Sequence, residues 1–224
     1  MKKVISAGLC ILLLCALSAC HVGLRRGPMQ LVNTLSGSLA GVQTVRLHYD
    51  IGSIQILPGK NDEIVVLEIA DGRYPPAMYA QLTTSGDTLT VRQGRTRGNV
   101  GDIGENRVEV YLPLAFDGEL IVDAEVGLFT IEDAFAFSYV EIALSVGDVT
   151  VSKIAPEMLA IDVEAGNVEL TVPSDYTFTY SIQVELGEVD SSIVNRGSGS
   201  VGDNPVARVE ITLEVGNIEV RQGR

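Results

Sequence analysis

The segment Val140–Lys153, VEIALSVGDVTVSK, alternates apolar and polar residues on both sides of one glycine, Gly147. Alternation with a period of two predicts a β-strand with one buried face and one solvent-facing side. Apolar residues stand seven, five, three and one positions before the glycine and two positions after it. Positions −1 and +2, counted from the glycine, are therefore both predicted to face the core. Strict alternation cannot place them so, and we expect the chain to bend or turn at the glycine.

The same pattern recurs around five other glycines, so it is a repeat. Gly127 to Gly147 is 20 residues, Gly147 to Gly166 is 19, Gly166 to Gly187 is 21, and only the step to Gly216 is longer, at 29. A period near 20 predicts a stack in which neighbouring units share one core. We predict that each repeat glycine supplies a positive φ at a corner, and that Gly127, Gly147, Gly166 and Gly187 lie at successive corners. The six structural turn residues are Gly52, Gly127, Gly147, Gly166, Gly187 and Gly216.

Further strands are predicted before the regular repeats. They are TVRLHYDIGSIQIL, DEIVVLEIA, DTLTVRQG and NRVEVYLP, in which alternation ends at turn residues. These segments indicate an all-β domain over residues 41–224. Periodicity alone leaves two architectures open, a stack of antiparallel hairpins and a parallel β-solenoid with coils of about 20 residues.

The units VGDVTV, AGNVEL, LGEVDS and VGNIEV, preceded by VEVYLP, resemble the putative-adhesin families of the DUF4097 and DUF2807 type. The resemblance extends over about residues 42–222. It implies a right-handed parallel β-solenoid and brings no catalytic residues. The segment NRGSGSVGDNPVAR departs from the pattern, and we expect residues 195–208 to form a projecting loop.

The N-terminus resembles that of a bacterial lipoprotein. A cationic start and an apolar run predict a signal peptide over residues 1–19. Leu17-Ser18-Ala19-Cys20 resembles a lipobox, which makes Cys20 the acylated first residue of the mature chain. The other cysteines, Cys10 and Cys15, precede the cut, so no disulfide is predicted. Gly, Pro and Ser punctuation predicts a lipidated tether over residues 20–40.

Composition narrows the class of partner. The formal net charge of −13 disfavours nucleic acid, because phosphates would be repelled. A lipid anchor instead predicts the membrane as one partner, with an envelope protein or a glycan as a possible ligand. The predicted location is the cell envelope, and the outer membrane in a diderm bacterium, because His21 rather than aspartate follows Cys20.

Acidic residues at position −2 are the main candidate for chemistry. They are Asp50, Glu125, Glu164, Glu185 and Glu214, interrupted by Ser145. Stacked carboxylates are possible calcium ligands, but a solvated outer face also accounts for them, and we predict no metal and no cofactor. Asp123, Glu125, Asp162 and Glu164 are alternative acid and base residues for glycan cleavage. His48 faces outward and has no partner visible in the sequence.

These observations predict a noncatalytic binding or scaffolding module, adhesin-like and anchored by lipid. Two alternatives remain open at this point, a glycan-acting enzyme built on a β-helix and an accessory protein in envelope-stress sensing. Phe135, Phe137 and Tyr139 form either an aromatic binding patch or packing at a coil corner, and packing is favoured.

Overall fold

The computed structural model describes residues 28–95 and 104–223, so the predicted signal peptide and Cys20 lie outside the described residues. The described residues form thirteen strands, one 3₁₀ turn at Pro76–Met78, and no α-helix. The strands are β1 (Gln30–Ser38), β2 (Thr44–Gly59), β3 (Glu63–Ala70), β4 (Gln81–Ser85), β5 (Thr88–Arg92), β6 (Asn106–Pro113), β7 (Glu119–Ile131), β8 (Tyr139–Ser152), β9 (Met158–Val172), β10 (Phe178–Leu186), β11 (Val189–Ser191), β12 (Gly197–Val201) and β13 (Ala207–Gln222).

The repeats form a parallel solenoid, and the hairpin alternative is wrong. Strands β2, β7, β8, β9, β13 and β10 pair in that order, each parallel to the next. Each repeat is one rung, a long strand that runs through its glycine corner without ending there, followed by a short return loop. The sixth rung is divided between β10 and β11, which lie on either side of its corner and both pair with β13.

The order of the last two rungs differs from their order in the chain. Strand β13 lies between β9 and β10, so Gly216 stacks on Gly166 and Gly187 stacks on Gly216. The prediction that Gly187 follows Gly166 at successive corners is therefore wrong, although Gly127, Gly147 and Gly166 are successive. The longer step before Gly216 supplies the chain that β12 and its flanking loops need before the chain returns between β9 and β10.

The core lies inside the stack and is formed by side chains at most of the repeat positions that were predicted to be buried. All six residues at position −3 are buried, and at position +2 five are buried and Val189 is partly buried. The prediction that position −1 faces the core is wrong, because Val126 and Val215 remain 46% and 49% exposed. The chain bends across positions −2 to +1, which puts the side chains at −2, −1 and +1 outside the core.

Backbone contact between rungs explains the glycines. Gly166 has a φ of +154°, and a Cβ added there would overlap the carbonyl oxygen of Gly147 in the preceding rung. An added Cβ would overlap the preceding glycine's carbonyl oxygen in the same way at every corner after the first. At the first corner, an added Cβ on Gly52 would instead meet the side chains of Asn106 and Val108 at 3.4 Å or more. Glycine is thus required for two reasons, a backbone conformation that L-residues rarely adopt and the close approach of successive rungs.

The first rung is covered by a mixed cap. Strand β5 pairs in parallel with the part of β2 before its glycine corner, and β6 pairs in parallel with the part after it. Strand β3 pairs antiparallel with β6. The predicted tether over residues 20–40 is wrong over residues 30–38, which form β1 and pair antiparallel with β3. Leu35 packs against the core, and Asn33 donates a hydrogen bond to Glu68. These two contacts hold β1 in place, although its sequence alternates too weakly to predict a strand.

Gln93 binds the backbone of β2 at its glycine corner, between the parts of β2 that pair with β5 and β6. Its Oε1 accepts hydrogen bonds from the backbone N–H groups of Asp50 and Ile51, at 2.8 and 3.0 Å. Its Nε2 donates to the carbonyl of Ile51 at 2.8 Å and contacts the Tyr74 hydroxyl at 2.5 Å. The side chain therefore satisfies backbone groups that a further rung would otherwise have paired.

The far end of the stack is covered by β12, which pairs antiparallel with β10. The predicted projecting loop over residues 195–208 is therefore partly wrong, because Gly197–Val201 belongs to the sheet. Small residues there let the strand lie flat over the aromatic ring of Tyr180, whose atoms an added Cβ at Gly199 would meet. Phe135 and Phe137 are buried and stack on each other at 5.0 Å, which confirms packing for these two rings, whereas Tyr139 is partly buried and donates its hydroxyl to Glu141.

A buried carboxyl lies inside the cap. Glu68 is fully buried, and its Oε2 accepts hydrogen bonds from Asn33 Nδ2 and the backbone N–H of Ala80, both at 2.7 Å. Its Oε1 has no partner within the described residues. Burial raises the pKa of the Glu68 carboxyl, and the hydrogen bonds from Asn33 and Ala80 oppose that rise.

We expect Glu68→Gln to remove a pH dependence of stability. Because the folded state raises the pKa of Glu68, its contribution to stability is complete below the unfolded-state pKa and is lost as pH rises through the folded-state pKa. Urea unfolding should therefore show the two chains equally stable in acid and the glutamine variant more stable at neutral pH. Glu63→Gln, an exposed change on the same strand, is the control. A wild-type advantage at neutral pH would contradict the prediction.

Candidate functional surface

The most regular exposed feature is the outer side of the glycine corners. We call it the corner surface, and it comprises the residues at positions −2, −1 and +1 of the six rungs. The rungs stack in register, so each position forms a column with a spacing of about 4.8 Å. The glycines form a row without side chains between the columns at −1 and +1.

The column at position −1 is apolar along its whole length. In spatial order it comprises Ile51, Val126, Val146, Ala165, Val215 and Leu186. Leu128, at position +1, lies on the other side of the glycine row. Of nine exposed large hydrophobic side chains in the described residues, five are on this surface, namely Val126, Leu128, Val146, Leu186 and Val215. Such a concentration on one edge differs from the scattered apolar side chains of an ordinary surface.

The acidic column at position −2 is continuous except at one rung. In spatial order it comprises Asp50, Glu125, Ser145, Glu164, Glu214 and Glu185. Ser145 Oγ donates a hydrogen bond to Glu164 Oε1 at 3.2 Å. Within residues 28–95 and 104–223, no group of three or more His, Cys, Asp or Glu side chains is arranged to hold a metal ion.

The polar column at position +1 serves the fold directly. The backbone N–H of Asn167 donates to Asp148 Oδ1 at 2.9 Å, that of Asn217 to Asn167 Oδ1 at 3.3 Å, and that of Glu188 to Asn217 Oδ1 at 3.2 Å. Each side chain thus accepts a backbone hydrogen bond from the next rung. These oxygens are engaged in holding the corner together, so the Asp and Asn residues after the glycines are explained by structure.

The corner surface carries charge of one sign. Its three columns contain seven carboxylates and neither lysine nor arginine. Arg95 approaches one end, where its Nε lies 4.0 Å from Asp50 Oδ2. An apolar row flanked by carboxylates is complementary to a partner that has apolar residues between cationic ones.

The four carboxylates suggested for glycan cleavage lie in two sets on the outer face of the stack. Asp123 and Glu125 are two rungs from Asp162 and Glu164, about 10 Å along the stack, with β8 between them. Asp123 accepts a hydrogen bond from His48, and Glu164 accepts one from Ser145. Two of the four suggested carboxylates, Asp123 and Glu164, are therefore already held by neighbouring side chains.

A shallow hollow of about 220 Å³ brings a different set of carboxylates together, Glu141, Asp162 and Glu210. Tyr139 donates to Glu141 Oε2 at 2.8 Å, and Arg208 pairs with Glu210. Burial and the Glu141 hydrogen bond raise the pKa of the Tyr139 hydroxyl to about 12. Two of the three carboxylates are therefore held by neighbouring side chains on the sheet.

His48 has partners that the sequence did not reveal. Its Nδ1 lies 2.8 Å from Asp123 Oδ2, and its Nε2 lies 3.8 Å from Asp50 Oδ1. Asp123 belongs to the next rung, and the register of β2 against β7 places it opposite His48. Only an alignment of the two repeats at their glycines would have indicated this contact.

Comparison with known proteins places the architecture in a family. The Toastrack DUF4097 family model matches residues 45–171, more than half of the chain. A putative cell adhesion protein from Clostridium sporogenes has a similar structure, with 13% identity, a TM-score of 0.66, and coverage of 88% of this chain and 100% of that one. At this identity the likeness bears on the fold alone.

Two further solved structures match less well in shape. A putative adhesin from Bacteroides fragilis has 8% identity and a TM-score of 0.37, with coverage of 86% of this chain and 97% of that one. A putative adhesin from Parabacteroides distasonis has 11% identity and a TM-score of 0.34, with coverage of 88% and 98%. The comparison with curated proteins found no match. With its matched repeats, its parallel rungs and its glycine corners, the chain belongs to the Toastrack DUF4097 family.

Proposed function

We propose that this protein is a noncatalytic binding or scaffolding module of the bacterial cell envelope, held to a membrane by lipid at Cys20. The observation that carries the proposal is the corner surface, which presents exposed apolar and acidic columns along six rungs in register. A surface of this kind, on a rigid parallel stack, suits recognition of an extended partner. The adhesion label of the Clostridium structure supports a binding role.

The carboxylates support binding more than turnover. Glycoside hydrolysis requires two carboxyl groups about 5 to 10 Å apart across one cleft. Here Asp123, Glu164 and Glu141 each accept a hydrogen bond from a neighbouring side chain, and they lie on the outside of the sheet. Acids held by a donor on an open face, or in a shallow hollow as Glu141 is, lack the cleft that would orient a sugar.

A binding screen tests this function. The chain from residue 21 to 224, without its lipid, should be immobilised and exposed to envelope proteins and to a glycan array. Starting at residue 41 would remove β1 and expose the edge of β3, so the longer chain is required. Saturable binding without change in the ligand supports the proposal. Turnover of a captured glycan, lost in Glu141→Gln or Asp162→Asn, would overturn it in favour of an enzyme.

Lipidation is tested separately. We expect a fatty-acid analogue to label the wild-type chain in bacterial cells and not the Cys20→Ser variant, because only a cysteine thiol can form the thioether to diacylglycerol. Cys15→Ser is the matched control and should retain the label, since that residue lies within the predicted signal peptide. Equal labelling of wild type and Cys20→Ser would contradict the anchor.

The anchor and the domain together suggest an arrangement at the membrane. Among the described residues no helix is long and apolar enough to cross a membrane. Acylation at Cys20 would place the chain beside a bilayer, and His21 at the next position favours the outer membrane in a diderm bacterium. Fractionation of membranes by density, with the Cys20→Ser variant as the soluble reference, measures that location.

A further inference from the structure

We propose that the corner surface binds an amphipathic α-helix whose apolar row is flanked by lysine or arginine. This inference rests on the proposed binding function and names the class of partner. The helix would lie along the column at position −1, parallel to the direction in which the rungs stack, with its cationic residues facing the carboxylates on either side.

Exposure of the apolar column is the first support. Val126 is 46% exposed, Val146 and Val215 are each 49% exposed, and Leu186 is 68% exposed. These residues adopt strand conformation, which threonine would satisfy equally well at the edge of solvent. Strand conformation therefore favours β-branched residues at these positions but does not require apolar ones. Covering the column would remove its apolar side chains from water.

Charge selects the partner. The seven carboxylates of the corner surface lie on both sides of the apolar column, at positions −2 and +1. A second copy of this chain would bring the same carboxylates against them, and like charges in contact oppose association. An anionic membrane surface would be repelled for the same reason. A helix with cationic flanks would instead face carboxylates at five of the six rungs on the −2 side, and Asp148 and Glu188 on the +1 side.

Spacing favours a helix over an extended strand. Neighbouring rungs are about 4.8 Å apart, whereas side chains on one face of a strand repeat every 6.6 to 6.8 Å or so. An α-helix presents one apolar residue per turn of about 5.4 Å, close to the rung spacing. Six rungs span about 24 Å, which matches about 16 helical residues. The row of glycines, between positions −1 and +1, leaves room beside the column for helix side chains.

The test uses a synthetic peptide and the chain from residue 21 to 224. The probe is a fluorescent leucine–lysine peptide of about 18 residues with all leucines on one helix face. A second peptide of identical composition spreads the leucines around the helix, so that the two differ only in amphipathicity. Fluorescence anisotropy at physiological salt should show the first peptide binding at least about tenfold more tightly.

Variants locate the binding site. The triple variant Val126→Thr, Val146→Thr and Val215→Thr keeps the side-chain shape and the charge, and it should weaken peptide binding at least about tenfold while thermal unfolding stays close to that of wild type. Val206→Thr is the control, because Val206 is 92% exposed but lies away from the corners, and it should bind as wild type does. Glu164→Gln with Glu214→Gln should weaken binding and reduce its salt dependence.

Several outcomes would overturn the proposal. They are equal binding of both peptides, unchanged binding by the triple threonine variant, column-dependent dimerisation in sedimentation, or column-dependent binding to phosphatidylcholine–phosphatidylglycerol vesicles in place of the peptide.

The proposed function can fail independently of the helix site. If an envelope partner is captured equally by the triple variant, the binding module stands and the helix site is wrong. If the peptide binds through the column but no envelope component is captured, the helix site stands and the envelope function is wrong.

Discussion

Replacing Gly166 with alanine should lower the free energy of unfolding by about 2 to 6 kcal/mol, since strained backbone and overpacking each cost about 1 to 3 kcal/mol. The added Cβ would overlap the carbonyl oxygen of Gly147, which is backbone and cannot rotate away. To relieve the overlap, two rungs would have to separate and weaken the ladder between β8 and β9. For a chain of this size, each kcal/mol of that loss lowers the midpoint of thermal unfolding by roughly 2 to 4 °C.

Gly52→Ala is the matched control for this prediction. Gly52 has the same φ of +154°, but an added Cβ would meet its nearest atom, Asn106 Nδ2, at 3.4 Å. The two variants share the conformational strain and differ in the backbone overlap, so Gly52→Ala should cost only the strain, about 1 to 3 kcal/mol. Gly72→Ala, with no atom within 4 Å, should cost little. Equal losses of stability in the Gly52 and Gly166 variants would show that the positive φ, and not the contact between rungs, is the reason for glycine.

The sequence was sufficient to predict the repeat but not the direction in which position −1 points. Glycine at a fixed period and apolar residues at −7, −5, −3 and +2 identify the core, because burial selects apolar residues strongly. Val146 is equally apolar and lies outside, since four residues rather than two form the bend. Hydrophobicity alone does not distinguish a buried valine from an exposed one that a strand favours.

The order of the last two rungs also lies beyond pattern recognition. The alignments around Gly187 and Gly216 are equally good, and nothing local indicates that Gly216 stacks directly on Gly166. The contact between His48 and Asp123 is different, because register follows once the rungs are aligned at their glycines. Long-range order in a stack depends on the sum of packing over whole strands, whereas register depends on a few local positions.

The cap could be predicted least. Strands β3, β5 and β6 are visible as alternating segments, but their partners depend on contacts between distant residues. Gln93 and Glu68 carry no sequence signal, because each acts through one specific set of hydrogen bonds in a unit that occurs once. The solenoid can be predicted from sequence because its pattern repeats, whereas the cap occurs once and offers no repeated pattern.

Gln93→Ala should destabilise the cap by about 3 kcal/mol or more, since each buried group left without a partner costs about 1 to 3 kcal/mol. The change removes the acceptor for the N–H groups of Asp50 and Ile51 and the donor for the carbonyl of Ile51. Because Gln93 is 3% exposed, water reaches these groups only through the cavity that the truncation leaves. Urea unfolding, followed by circular dichroism, measures the loss.

Gln93→Glu separates hydrogen bonding from packing in the same position. Glutamate has the size of glutamine and accepts the same two N–H bonds, but at neutral pH it cannot donate to the Ile51 carbonyl. If hydrogen bonds hold the corner, Gln93→Glu should lose at least half of the stability that Gln93→Ala loses, whereas exposed Gln81→Ala should lose less than about 0.5 kcal/mol. Wild-type stability in Gln93→Glu would instead assign the effect to filling of space. Hydrogen exchange at Asp50 and Ile51 supplies the local readout, because their amides should exchange faster in Gln93→Ala and remain protected in Gln93→Glu.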